Sequence, residues 1–89
     1  MQAIVNPEEL ETFARMLQQF NSDLNDSTRR LGGQFARLGE TWRDQNHQKF
    51  AAEFEQTVRN LQHFMRAADE EIPQVRSQAT AIRDYLSRS

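Results

Sequence analysis

The chain contains no cysteine, so neither a disulfide nor a thiolate metal site can staple it together. It has only two prolines and three glycines in 89 residues, which leaves few places to interrupt regular structure. Its apolar runs are a few residues long, far short of the ~20 needed to cross a bilayer as a helix. Charge of a single sign is missing too: 11 Lys and Arg face 13 Asp and Glu, for a net charge of -2. Without a basic excess to neutralise phosphates, a nucleic-acid partner is not expected. The opening MQAIVNPEEL lacks the basic start and long apolar stretch of a signal peptide. The expectation is synthesis in the cytoplasm, with any export following a leaderless route. Sustained apolar-polar alternation is also absent, so no strands are assigned.

What is abundant is Glu, Gln, Arg, Leu and Ala, the residues that helices favour. A single small domain is therefore expected, all-α, burying only roughly 60–65% of its unfolded surface. Without covalent staples, oligomerisation is the common way for so small a chain to gain stability.

The start of a first helix reads clearly in VNPEEL. Asn6 suits the N-cap, Pro7 the first helical position, and Glu8 and Glu9 the positive end of the dipole. Val5 and Leu10 are spaced as a hydrophobic staple. Leu10, Leu17, Leu24, Leu31 and Leu38 then recur every seven residues. Phe13 and Phe20, continued by Ser27 and Gln34, read as the other row of an a/d seam. Gly32 and Gly33 interrupt the helix at about 1 kcal/mol each, either as a bend or as a point of close approach by a partner helix. Arg37 and Gly39 suit a helix end with a left-handed cap. Helix is thus predicted over about 7–38 and a turn over about 39–42.

Thr41 and Asp44 signal a second helix, over about 43–86. Phe54, Leu61, Ala68, Val75 and Ile82 form one row of its seam; Ala51, Val58, Met65, Ile72, Ala79 and Leu86 form the other. Pro73 removes a backbone hydrogen bond and is expected to kink the helix or divide it near Ile72. Two helices joined by a few residues make an antiparallel helix-turn-helix hairpin. Met16, Phe35, Phe50, Phe64 and Tyr85 exceed what the seams need, and an exposed apolar strip marks an interaction surface. Dimerisation into a four-helix bundle is the expected outcome.

Chemistry for catalysis is not expected, and neither is a cofactor or a metal. His47 and His63 share no helical face, and no Glu-x-x-His pair exists for a carboxylate di-iron site. Asp44 and His47, at i and i+3, are one pair rather than a ligand set. Asp69 to Glu71 reads as a solvated acidic face, and the polar faces are too weakly basic for a helix pair lying on a membrane.

Midway along the chain, LGETWRDQNHQKF holds the only tryptophan, Trp42. A helical hairpin of this length with a tryptophan at its turn and no cysteine resembles the WXG (Trp-x-Gly) family, the small Esx-like proteins of type VII secretion. The resemblance spans nearly the whole chain, with Phe50 or Phe54 matching the phenylalanine the family carries after its tryptophan. It implies a non-enzymatic interaction module, paired with itself or with a related hairpin. It further implies a role as secretion substrate or as adaptor for a larger secreted effector or the secretion machinery. Two features depart from the family. Asp44 stands where the family has glycine, so the turn motif comprises Gly39, Trp42 and Asp44; Tyr85 is followed four residues later by Ser89, which does not complete a Tyr-x-x-x-Asp/Glu signal. A cytosolic coiled-coil scaffold or chaperone unrelated to export is the alternative. At the tip, Trp42 is expected to close the end of a narrow core, to be read by a partner, or both.

Overall fold

A computed structural model describes residues 5–88 as two long antiparallel helices joined by a short turn, a rod of 68 × 23 × 15 Å. Helix α1 spans Pro7–Leu38 and helix α2 spans Gln45–Ser87. The Asn6 side chain accepts hydrogen bonds from the backbone N–H groups of Glu8 and Glu9, which satisfies donors the first turn would leave bare. Asp44 does the same for α2 by accepting from the His47 N–H at 3.0 Å. Pro73 lies inside α2, and the helix continues through it without division. Its missing N–H leaves one carbonyl unpaired on an exposed stretch, where water can serve it.

The seam between the helices differs from the expected one on α1. Leu10, Leu17 and Leu24 are half-buried, but the second row is Ala14, Asn21, Thr28 and Phe35. Phe13 and Phe20 lie on the opposite side of the leucines and are about half exposed; Ser27 and Gln34 are exposed as well. Small residues decide the side. Ala14 and Ala79 are fully enclosed and Ala68 nearly so, which lets the two backbones approach as they could not around two phenylalanines. Leu31 and Leu38 are exposed because a straight helix drifts by about 20° per heptad, turning the leucine row away from α2 toward the tip. On α2 the seam follows the expected rows as far as Ile82, with Met65, Ala68, Ile72 and Ala79 buried and Ala51, Phe54, Val58, Leu61, Val75 and Ile82 half-buried, whereas Leu86, expected to end one row, is exposed.

One flank of the hairpin is latched by polar contacts between the helices. Arg83 reaches Glu11 at 3.5 Å, Arg76 donates to Gln18 at 2.9 Å, and Asn21 donates to Asp69 at 3.1 Å. Asn21 also donates to the Met65 carbonyl at 2.9 Å, and it is the buried polar residue of the seam. A buried amide tied to one carbonyl penalises any slip of register, at the cost of some stability. Its Oδ1 is enclosed and accepts no hydrogen bond.

Neither glycine of the Gly32–Gly33 pair is approached within the hairpin: a Cβ built on either meets open space. They are helical residues without local packing.

Replacing Asn21 with leucine removes an unsatisfied acceptor and adds apolar burial, while Asp69 remains exposed to water. The Asn21→Leu hairpin is therefore expected to gain about 1 kcal/mol in a urea or thermal melt followed by circular dichroism. A loss of similar size would show that the Asn21 hydrogen bonds outweigh its buried orphan oxygen.

Candidate protein interaction surface

The tip is built by a tight run of backbone hydrogen bonds. Gly39 N–H donates to the Phe35 carbonyl, and both Thr41 and Trp42 N–H donate to the Leu38 carbonyl, the latter at 2.9 Å. Arg43 Nε then donates to the Gly39 carbonyl at 3.2 Å, which ties the turn back onto α1. Gly39 does not adopt the left-handed cap expected of it. Its φ of -64° and ψ of -13° are right-handed helical values that any residue can take. Space is tight there, since an added Cβ would lie 3.3 Å from Nε2 of His47 and the imidazole would have to shift by a few tenths of an ångström to admit it.

That histidine organises the tip. Its ring stacks on Phe35, with centroids 5.1 Å apart and planes 10° from parallel, and meets Trp42 edge to face at 5.0 Å. Phe35 in turn contacts Phe54 at 5.0 Å and Phe50 at 5.5 Å. Trp42 is half-buried at the head of this chain of rings and keeps part of its surface in solvent. Among the described residues no group of three or more metal-binding side chains is gathered, and His47 is occupied by its aromatic neighbours. Asp44 sits in extended backbone, with φ -84° and ψ -174°, so the position has no need of glycine. A carboxylate there gains the N-cap that glycine would forgo.

The second feature is an apolar flank, opposite the polar latch. Phe13, Met16 and Phe20 run along α1, Met16 being 66% exposed, and the stripe continues through Leu31 and Leu38. Phe64 of α2 meets Phe20 edge to face at 6.1 Å, and both remain largely accessible. Nearer the tip, Leu31, Gln34, Phe35, Leu38, Phe50 and Phe54 line an open apolar hollow of about 300 Å³. The leucine row thus stands between two seams. One is filled by α2; the other, of Phe13 and Phe20, is bare. Of the residues singled out from sequence, Phe13, Phe20, Leu31, Leu38 and Phe50 lie on this bare side. The remaining seam residues, Leu10, Leu17, Leu24, Phe54, Val58, Leu61, Met65, Ile72, Val75 and Ile82, are half-buried or buried within the hairpin.

Sequence reasoning missed His47, Phe35 and Asn21 as members of the seam and tip. The signal was present, since His47 precedes Phe54 by one heptad, and Ala14, Asn21, Thr28, Phe35 and Trp42 form their own seven-residue row. Its mixed polarity concealed it.

With this geometry in view, the comparisons with known proteins bear on the chain. The family model WXG100, described as proteins of 100 residues with WXG, matches residues 2–85. The chain belongs to that family of small helical proteins associated with type VII secretion, whose members are not known enzymes and leave by a leaderless route. No curated protein and no solved structure matches the chain significantly. Among the described residues no helix is long and apolar enough to cross a membrane.

As Trp42 is the only tryptophan, its emission reports the tip directly. His47→Ala removes the ring that bridges Phe35 and Trp42, and is expected to red-shift that emission and to destabilise the hairpin by about 1–2 kcal/mol. Unchanged emission and an unchanged melt would show that the stack contributes nothing to the tip.

Proposed function

We propose that this WXG100 hairpin is a non-enzymatic protein-interaction module of type VII secretion, acting as substrate or escort while paired with a second hairpin. Members of the family typically pair with each other or with related partners. The observation that carries the reading is the bare seam of Phe13, Met16, Phe20 and Leu31 beside a leucine row already half used. A hairpin that buries one stripe per helix leaves this flank in water, and exposed apolar area of that extent is costly unless a partner covers it. A second copy offers the same stripe, so a two-fold pairing of identical flanks covers both and completes a four-helix bundle. The polar latch on the other flank leaves no comparable apolar surface there, so association stops at two hairpins. In this reading the aromatic tip has two roles: Trp42 closes the end of the hairpin and presents an accessible ring edge to a larger effector or to the secretion machinery.

Light scattering coupled to size exclusion tests the pairing. The chain is expected to elute as a dimer at micromolar concentration. Phe20→Glu places a charge in the bare seam and is expected to raise the dissociation constant by about a hundredfold, consistent with roughly 3 kcal/mol for an unpaired charge at an interface centre. A well-folded wild-type monomer at that concentration, with no related hairpin able to shift it, would remove the reading.

Export is tested separately. In the producing cells, the chain is expected in the culture supernatant when a cytosolic marker enzyme is absent from it, and to be retained when the type VII ATPase is deleted. Retention in the wild-type strain would favour the cytosolic scaffold instead.

A further inference from the structure

Charge along the rod is sorted, although the net charge is only -2. Residues 27–50 hold five cations (Arg29, Arg30, Arg37, Arg43 and Lys49) against two carboxylates (Glu40 and Asp44), a local excess of +3. The rest of the chain holds six cations and eleven carboxylates, an excess of -5. Three of the tip-half arginines converge on one place. Arg29, Arg30 and Arg37 surround Gly33 on the outer face of α1, lining an open hollow of about 580 Å³. All four residues are exposed, and none of the three guanidinium groups has a carboxylate within 4 Å among the described residues. Arg30 donates only to the Ser27 hydroxyl, at 3.3 Å.

Gly33 forms the floor of that hollow. A glycine in mid-helix is unfavourable relative to alanine, and nothing in the hairpin occupies the space its missing side chain leaves. The helix therefore accepts a local weakness that its own packing does not require. A partner backbone laid against the helix at this point would use that space.

We propose that this arginine-lined hollow on the outer face of α1 docks a short acidic segment of another protein, laid across Gly33 with its carboxylates on Arg29, Arg30 and Arg37. Arginine suits this task because its planar fork pairs with a carboxylate through two parallel hydrogen bonds. Length selects a peptide over an extended polyanion. Arg29 to Arg37 covers about 12 Å of helix, and Asp26 and Glu40 bracket the patch about 21 Å apart. A lipid surface or a nucleic-acid strand would overrun those carboxylates and meet the acidic remainder of the rod. A segment of four to six residues fits between them. The site lies on one helix and borders the bare seam at Leu31, which lines its edge, while the three arginines themselves stand on the outer face, so it does not rest on the secretion role proposed above.

Fluorescence anisotropy of a fluorescein-labelled hexaglutamate peptide, titrated with the full chain at low salt, tests the site. Saturable binding is expected. The triple variant Arg29→Gln/Arg30→Gln/Arg37→Gln is expected to weaken it at least about tenfold through loss of charge-assisted contacts. The charge-matched control Arg15→Gln/Arg59→Gln/Arg66→Gln should bind within about twofold of wild type. Gly33→Leu fills the hollow with a better helix former; it should melt higher than wild type and yet lose binding by about tenfold. Several results would overturn the proposal: no binding of hexaglutamate, equal weakening by the control triple, or unimpaired binding by Gly33→Leu. Tighter binding of phosphatidylserine vesicles or of a short DNA duplex than of the peptide would do the same.

Discussion

The hairpin depends on how one row of leucines is shared. Leu10, Leu17, Leu24, Leu31 and Leu38 can be flanked on either side to make a seam, and α1 carries candidates on both. Ala14, Asn21, Thr28 and Phe35 are taken by α2; Phe13 and Phe20 are left over. Close approach of the helices favours the side with the small residue, since Ala14 can be enclosed completely where a phenylalanine would hold the backbones apart. The direction of the apolar flank, the position of the polar latch and the placing of Phe35 under the tip all follow from that choice.

The tip follows from the same row. Trp42 is the next member after Phe35, and α2 brings His47 to lie between them. A Cβ at position 39 would press on the histidine ring set between two aromatic rings, so a glycine in ordinary helical conformation leaves that ring undisturbed. Asp44 begins α2 in extended backbone that needs no glycine and caps it, so a carboxylate stands at the turn where the family has glycine.

Much of this was legible in the residues. The caps at Asn6 and Asp44, the leucine period, both rows of α2 and the hairpin itself are local or periodic signals, and those survive without coordinates. The partner face of α1 was not legible, because seven-residue periodicity is satisfied equally by Phe13 and Phe20 or by Ala14 and Asn21. Apolarity pointed to the phenylalanines, while the fold was decided by volume and backbone approach. The role of His47 was hidden for a related reason: a polar residue opening a helix reads as solvated until the opposing ring, Phe35, is known to face it.

The buried positions, among them Ala14, Asn21, Met65, Ile72 and Ala79, all belong to the half of the rod away from the turn. A hairpin is often pictured as zipping from its loop, where closing costs least chain entropy. Here the loop-proximal stretch has only half-buried contacts to offer, and the tightest ones join residues such as Asn21 and Met65, 44 positions apart in the chain. Closure entropy grows only logarithmically with loop length, so the larger loop costs little more than a kilocalorie beyond a short one. The folding barrier of this chain is consequently expected to be set by bringing its distant ends together, with the aromatic tip settling afterwards.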